Sequence, residues 1–178
     1  MICNDVQTVL IDKDEIDSLV SSLGRQISGD YKNKNLLVIG VLKGSFIFMS
    51  DLLRRISLPL NVDFICASSY GNGTTSGELN ISKDIDYDIS DFDVLLVEDI
   101  LDTGRTLRSL SELLLKRGAK SVRICAFLDK PSRRTADINA DYCGKTVPDE
   151  FVVGYGLDYA ERYRNLPYVG ILKPDIYS

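Results

Sequence analysis

The chain has 178 residues, 44% of them hydrophobic and 26% charged, with a net charge of −5. That fits one globular domain able to bury its own core, and it excludes a bulk-cationic nucleic-acid or membrane-surface binder. No apolar run reaches the roughly 18 residues of a membrane span, and residues 1–14 are mixed and acidic, unlike a signal peptide.

The chain contains no histidine. Ser-His-Asp and Cys-His catalysis, histidine general bases and histidine-ligated metals are therefore excluded. Acid–base or metal work falls to carboxylates, lysine, tyrosine, cysteine or a cofactor. Cys3, Cys66, Cys125 and Cys143 lack C-x-x-C spacing, against a zinc ribbon. Cys66 and Cys125 lie within apolar stretches and read as reduced core thiols of a cytoplasmic protein.

In chain order, residues 12–27 predict an amphipathic helix, opened by the D-x-x-E of Asp12 and Glu15, with Ile16, Leu19, Val20, Leu23 and Ile27 on one face. Residues 35–42 (NLLVIGVL) predict a buried parallel strand. Residues 45–56 predict a helix whose apolar residues wrap most of its circumference. Residues 62–68 and 79–85 predict strands of a hairpin, joined by a small, polar, glycine-rich loop over 69–78. A fully apolar strand at 94–97 leads to a helix at 106–117 that stops at Gly118. A third buried strand follows at 122–128, then shorter strands near Tyr142, at 151–155 and at 168–172. The strand–helix alternation predicts an α/β fold with a parallel sheet. There is no internal repeat and no linker long enough to divide domains.

The chemistry concentrates in residues 94–107, VLLVEDILDTGRTL. A buried strand delivers Glu98 and Asp99 to its carboxyl end, where open α/β sheets bind ligands. The turn Asp102-Thr103-Gly104-Arg105-Thr106 then opens a helix, whose backbone N–H groups and dipole suit a phosphate. Adjacent carboxylates there suit sugar hydroxyls or Mg²⁺. The plainer reading is a surface turn whose acids favour a helix N-terminus.

The run from Glu98 to Thr106, EDILDTGRT, resembles the phosphoribosyl pyrophosphate (PRPP) signature of the type I phosphoribosyltransferases, in the form used by their 6-oxopurine branch. The Walker fingerprint is missing, against a P-loop NTPase. Further segments resemble the family in order. Leu42-Lys43-Gly44 resembles the pyrophosphate loop, with its cis peptide before the lysine. Ser68-Ser69-Tyr70-Gly71 resembles the start of the flexible loop over the reaction centre. Leu128-Asp129-Lys130 resembles the segment whose lysine meets the purine's exocyclic oxygen. Residues 151–159 (FVVGYGLDY) resemble the base and metal segment, and Arg164 matches the pyrophosphate-binding arginine.

The resemblance implies a parallel twisted sheet flanked by helices. It implies a single domain over 1–178, with a core over roughly 35–145 and a small hood from 1–12 and 146–178. It implies Mg²⁺-dependent transfer of phosphoribose from PRPP to hypoxanthine or guanine, giving IMP or GMP and pyrophosphate. Asp102 would be the general base or charge stabiliser at the purine N7. Lys43, Gly44, Glu98, Asp99, Ile100, Asp102, Thr103, Gly104, Arg105, Thr106 and Arg164 would bind PRPP or nucleotide, and Lys130, Phe151, Val152 and Asp158 would line the base site. Glu98, Asp99 and Asp158 would hold the metal, and Ser69 and Tyr70 would begin the flexible loop. A xanthine-using enzyme remains open, as does a nucleotide-sensing, RNA-binding regulator on the same fold. Asp102, Lys130 and the lack of a basic stripe favour an enzyme whose partners are purine and PRPP, with neither nucleic acid nor membrane. The helix at 45–56 carries more apolar surface than one sheet face can cover, so Phe46, Phe48, Met49, Leu52, Leu53 and Ile56 are expected at a homodimer interface, in an assembly that is a homodimer or homotetramer; the plainer alternative buries the helix within its own subunit, beneath the N-terminal helix.

Overall fold

A computed structural model of the chain describes residues 3–69, 79–86 and 88–177. Its elements are β1 (Val6–Ile11), α1 (Lys13–Asp30), β2 (Leu36–Val41), α2 (Phe46–Leu53), β3 (Asn61–Ser69), β4 (Leu79–Lys83), β5 (Asp93–Leu101), α3 (Arg105–Lys116), β6 (Ser121–Asp129), β7 (Tyr142–Thr146), β8 (Val152–Val153), β9 (Val169–Leu172) and α4 (Pro174–Tyr177).

All six residues of β2 are buried, as a strand covered on both faces requires. Its side chains alternate between two cores. Leu36 and Val38 join Ile16, Val20, Leu23 and Phe48 under α1 and α2. Leu37, Ile39 and Val41 join Leu107, Leu110 and Leu114 of α3. The same alternation in β5 sends Leu95 and Val97 to the first core and Val94 and Leu96 to the second. The large sheet has the order β4-β3-β2-β5-β6-β7. Strands β3, β2, β5, β6 and β7 run parallel, and β4 closes one edge antiparallel to β3. The expected parallel α/β sheet and the hairpin are both present.

Helix α1 starts where its cap predicts. The Asp12 carboxylate accepts the Glu15 N–H at 2.9 Å, while the Glu15 carboxylate pairs with Lys145 of β7 instead of returning to the cap. Gly118 ends α3 at a φ of +97°, which favours glycine.

The structure departs from the sequence reading in three places. Strand β1 was not expected; it pairs antiparallel with β9, which also pairs with β8, so the chain ends build a separate small sheet. Strand β5 runs on through the acid pair to Leu101. The third departure is α2. Phe48 and Leu52 are 0% exposed and Met49 is 1% exposed within one copy of the chain. Its second apolar side packs under α1, with Phe48 against Phe127 at 5.1 Å between ring centroids. Those residues therefore face the core and not a partner; only Phe46, at 44%, stands out in solvent.

Truncating Phe48 to alanine should therefore cost about 3–5 kcal/mol of folding stability through the cavity it leaves. A urea titration at two protein concentrations checks this. A wild-type midpoint combined with altered sedimentation would return Phe48 to an interface.

Candidate functional site

Strand β2 has β3 on one side and β5 on the other, so the chain order reverses between β2 and β5. Beyond the carboxyl ends of that strand pair, no crossover fills the space, and ligands bind there. Three segments converge on it: residues 42–45 after β2, residues 102–104 after β5, and the turn at 154–157 from the small-sheet region.

Their approach is close. A Cβ added to Gly44 would lie 1.7 Å from Asp99 Oδ2, and one added to Gly156 would lie 2.1 Å from the Gly44 carbonyl oxygen. The Leu42–Lys43 peptide is cis, as the family resemblance implies. Ser45 is buried and its hydroxyl donates to the Val41 carbonyl at 2.6 Å, closing the turn.

A cavity of about 260 Å³ opens here, lined by Glu98, Asp99, Ile100, Asp102, Thr103 and Thr106 among others. Burial first, and the Asp99 charge second, push the Glu98 carboxyl well above the usual carboxylate range. Burial also raises Asp99, although the nearby Arg164 guanidinium opposes that shift. On the opposite wall, α3 begins at Gly104, which has a φ of +78° and contributes no capping side chain. The positive end of the helix dipole is thus offered to an anion. Between them, Asp102 Oδ1 is buried and has no hydrogen-bond partner among the described residues. Such an orphan acceptor is costly unless a ligand donor meets it.

Lys130 directly follows β6, and its N–H donates to the Leu101 carbonyl at 3.0 Å. Lys130 is buried, 6% exposed, and its ammonium donates to the Glu150 carbonyl at 2.8 Å. An ammonium has three N–H donors, so capacity remains for another acceptor. The next residue after Glu150 is Phe151, which is 36% exposed. Val152 is buried in β8 and paired with Ile171.

Arg164 donates to the Gly156 carbonyl at 2.8 Å and pairs with Asp158 at 2.9 Å and Glu161 at 3.3 Å. The same Glu161 oxygen pairs with Lys43 at 3.1 Å. Thus Lys43 and Arg164, 121 residues apart by their numbers, share one carboxylate. Arg105 points elsewhere, its guanidinium donating to Thr135 Oγ1 at 3.1 Å. Ser69 is the last residue of β3, and Tyr70, with the expected flexible loop, lies outside the described residues.

Among the described residues no cluster of three or more carboxylate or cysteine ligands forms a ready metal cage. The donors fit Mg²⁺ nevertheless. That ion keeps few protein carboxylates and fills its remaining positions with water and substrate oxygens. Glu98 and Asp99 are oxygen donors in the cavity wall, and Asp158 is a third carboxylate, held by Arg164 at 2.9 Å.

Sequence reasoning missed Arg134. Its guanidinium donates to the carbonyls of Asp102 at 2.9 Å, Leu101 at 3.1 Å and Ile138 at 2.7 Å, and pairs with the Asp129 carboxylate. It fastens the turn that carries Asp102 to the strand end that carries Lys130. No local pattern could reveal it, because the carbonyls of Leu101 and Asp102 lie 33 and 32 residues away. Tyr155 was missed in the same way: its hydroxyl donates to Asp51 of α2 at 2.7 Å and its ring meets Phe127 at 5.0 Å, anchoring the 154–157 turn to the core.

Residues 11–160 match the family model of the phosphoribosyl transferase domain. The hypoxanthine-guanine phosphoribosyltransferase of Staphylococcus aureus is 54% identical over 176 residues, 98% of each chain. The bifunctional protein TilS/HprT of Listeria monocytogenes is 56% identical over 98% of this chain, which spans 27% of that longer protein. A crystal structure of a hypoxanthine phosphoribosyltransferase from Staphylococcus aureus superimposes with a TM-score of 0.94 at 53% identity, covering 98% of this chain and 96% of that one.

Replacing Arg134 with leucine should cost about 3–5 kcal/mol, because it strands Asp129 and the carbonyls of Asp102 and Ile138; lysine, lacking the planar fork, should recover only part. Urea unfolding of the two variants measures this. A leucine variant within about 0.5 kcal/mol of wild type would remove the bracing role.

Proposed function

The chain belongs to the phosphoribosyltransferase family, and on that premise we propose that it transfers phosphoribose from PRPP to hypoxanthine or guanine, releasing pyrophosphate. The observation that carries this reading is the buried, unpartnered Asp102 oxygen between an acid pair and a helix N-terminus. A purine N7–H is a donor of the kind that oxygen lacks. Asp102 takes or stabilises that proton as the base joins the anomeric carbon.

The other roles follow from position. The backbone from Thr103 to Thr106 holds the 5′-phosphate at the start of α3, with Arg105 and Gly104 in the same turn. Glu98 and Asp99 accept bonds from the ribose hydroxyls, with Ile100 beside them in the cavity wall. Lys43, Gly44 and Arg164 bind the pyrophosphate. Their shared partner Glu161 is an anion already placed between the two cations, where leaving-group oxygens can replace it. Lys130 donates to the 6-oxo group, Phe151 stacks on the purine and the Val152 backbone meets the base edge. Glu98, Asp99 and Asp158 would hold Mg²⁺ together with substrate oxygens, and the bound ion would supply Lewis-acid neutralisation of the pyrophosphate charge.

We read the chain as a single catalytic domain over 1–178, with the small sheet as a hood over the site. Phe46 and a groove of about 600 Å³ between α1, α2 and residues 165–167 leave one face open to a second copy, which supports a homodimer or homotetramer. No helix among the described residues is long and apolar enough to cross a membrane, and the four cysteines are free thiols, in keeping with a cytoplasmic site of action.

Steady-state rates with hypoxanthine, guanine, xanthine and adenine test the assignment. Lys130 has no acceptor to meet on a 6-amino group, and an unpaired buried donor costs about 1–3 kcal/mol or more. Adenine kcat/KM should therefore fall at least about tenfold below hypoxanthine. Equal values for the two bases, or no pyrophosphate release with any of them, would contradict the assignment.

A further inference from the structure

Phe151 does not stand alone. The ring of Tyr177, the penultimate residue, lies against it at 4.9 Å between centroids with an interplanar angle of 24°, a stacked pair. Tyr159 meets Phe151 edge-on at 5.4 Å and 90°. The chain end reaches this place for a local reason. The Leu172 N–H bonds the Phe151 carbonyl at 2.8 Å, which ties β9 to the base segment. The chain then turns into α4 (Pro174–Tyr177), where the Ile176 N–H closes on the Lys173 carbonyl at 3.1 Å. Ile176 and Tyr177 pack on the small-sheet cluster of Val6, Val153, Tyr168 and Leu172.

We propose that Tyr177 is a positioning residue for purine binding: it backs the ring of Phe151, so that the base stacks on the outer face of a two-ring platform. This rests on the reading of Phe151 as the base platform. An unsupported phenylalanine ring keeps rotational freedom that it must lose when a base stacks on it. A ring already held flat by one neighbour and edge-on by another loses less, and binding to a pre-set surface is tighter for that reason. A phenylalanine that is exposed over 36% of its area while two tyrosines restrain it fits a platform better than a core residue. The contacts given for Tyr177 are the Phe151 ring and the small-sheet cluster, so it should act on base affinity and leave the chemical step alone.

The test uses the full chain. Tyr177→Ala should raise KM for hypoxanthine and guanine by about three- to tenfold, the scale of one aromatic stacking contact. KM for PRPP and kcat should stay within about twofold. Tyr177→Phe should restore wild-type values, whereas Tyr177→Leu, similar in bulk but not aromatic, should not. The chain has no tryptophan, so Tyr177→Trp places a single reporter in the stack. IMP should change its emission, and ribose 5-phosphate, which lacks a base, should not. Thermal melts of all variants separate loss of fold from loss of platform. Phe151→Ala serves as the control for the parent reading. If it raises base KM while Tyr177→Ala does not, the present inference alone is overturned. If neither variant moves base KM, the platform reading falls and takes this inference with it. A fall in base KM on Tyr177→Ala would mean that the tyrosine obstructs the base, and that too would overturn the proposal.

Discussion

The site depends on two close approaches to glycine backbone that admit no Cβ. With Gly44 Cα against the Asp99 carboxylate and Gly156 Cα against the Gly44 carbonyl, the loop after β2 is held between the end of β5 and the turn from the hood. A carboxylate can sit against Gly44 only because that residue has no Cβ. Tyr155 holds the outer layer in place through Asp51 and Phe127, and Arg134 holds the neighbouring Asp102 turn. The large sheet supplies the rigid base on which such tolerances can be kept, since every residue of β2 is buried.

On the proposed reading, charge is arranged for an anionic substrate in a chain whose net charge is −5. Local donors decide binding, not the sum. Lys43 and Glu161 are 62% and 64% exposed in their side chains, so their pair is weak and readily exchanged. Arg164, at 18%, is more firmly placed by Gly156 and Asp158. Glu98 and Asp99 are the unfavourable partners. Their folded values lie above the ordinary ones, so any stability that they contribute is complete below the unfolded pKa and is lost as pH rises through the folded value. At neutral pH the pair opposes folding, and on the proposed reading substrate hydroxyls or a cation would relieve it. That is the electrostatic condition of a binding site, not of a structural ion pair.

Much of this was legible in the sequence because it is local. The buried strands 36–41, 93–101 and 121–129 read as apolar runs, α1 and α3 as helical stripes with recognisable ends, and the acid pair with its glycine turn as a ligand site at a strand end. Lys43, Lys130, Phe151 and Arg164 entered through resemblance, since a lone lysine or phenylalanine carries no chemical signature. What stayed hidden is long-range. Strand β1 exists because β9, more than 150 residues later, gives it a partner. The apolar girth of α2 suggested an interface because residue spacing does not reveal that α1 and Phe127 cover its second side. Arg134, Tyr155 and Tyr177 act on residues that only the folded chain brings near.

Gly44→Ala is the sharpest probe of the account, because the one added methyl group enters the space that Asp99 occupies. Calorimetric titration with PRPP and Mg²⁺, beside a thermal melt, reads the result. The account predicts a folded protein whose PRPP affinity falls by about a hundredfold, the scale expected when a binding loop is displaced by about 1 Å. A folded variant that binds PRPP as tightly as wild type would contradict it.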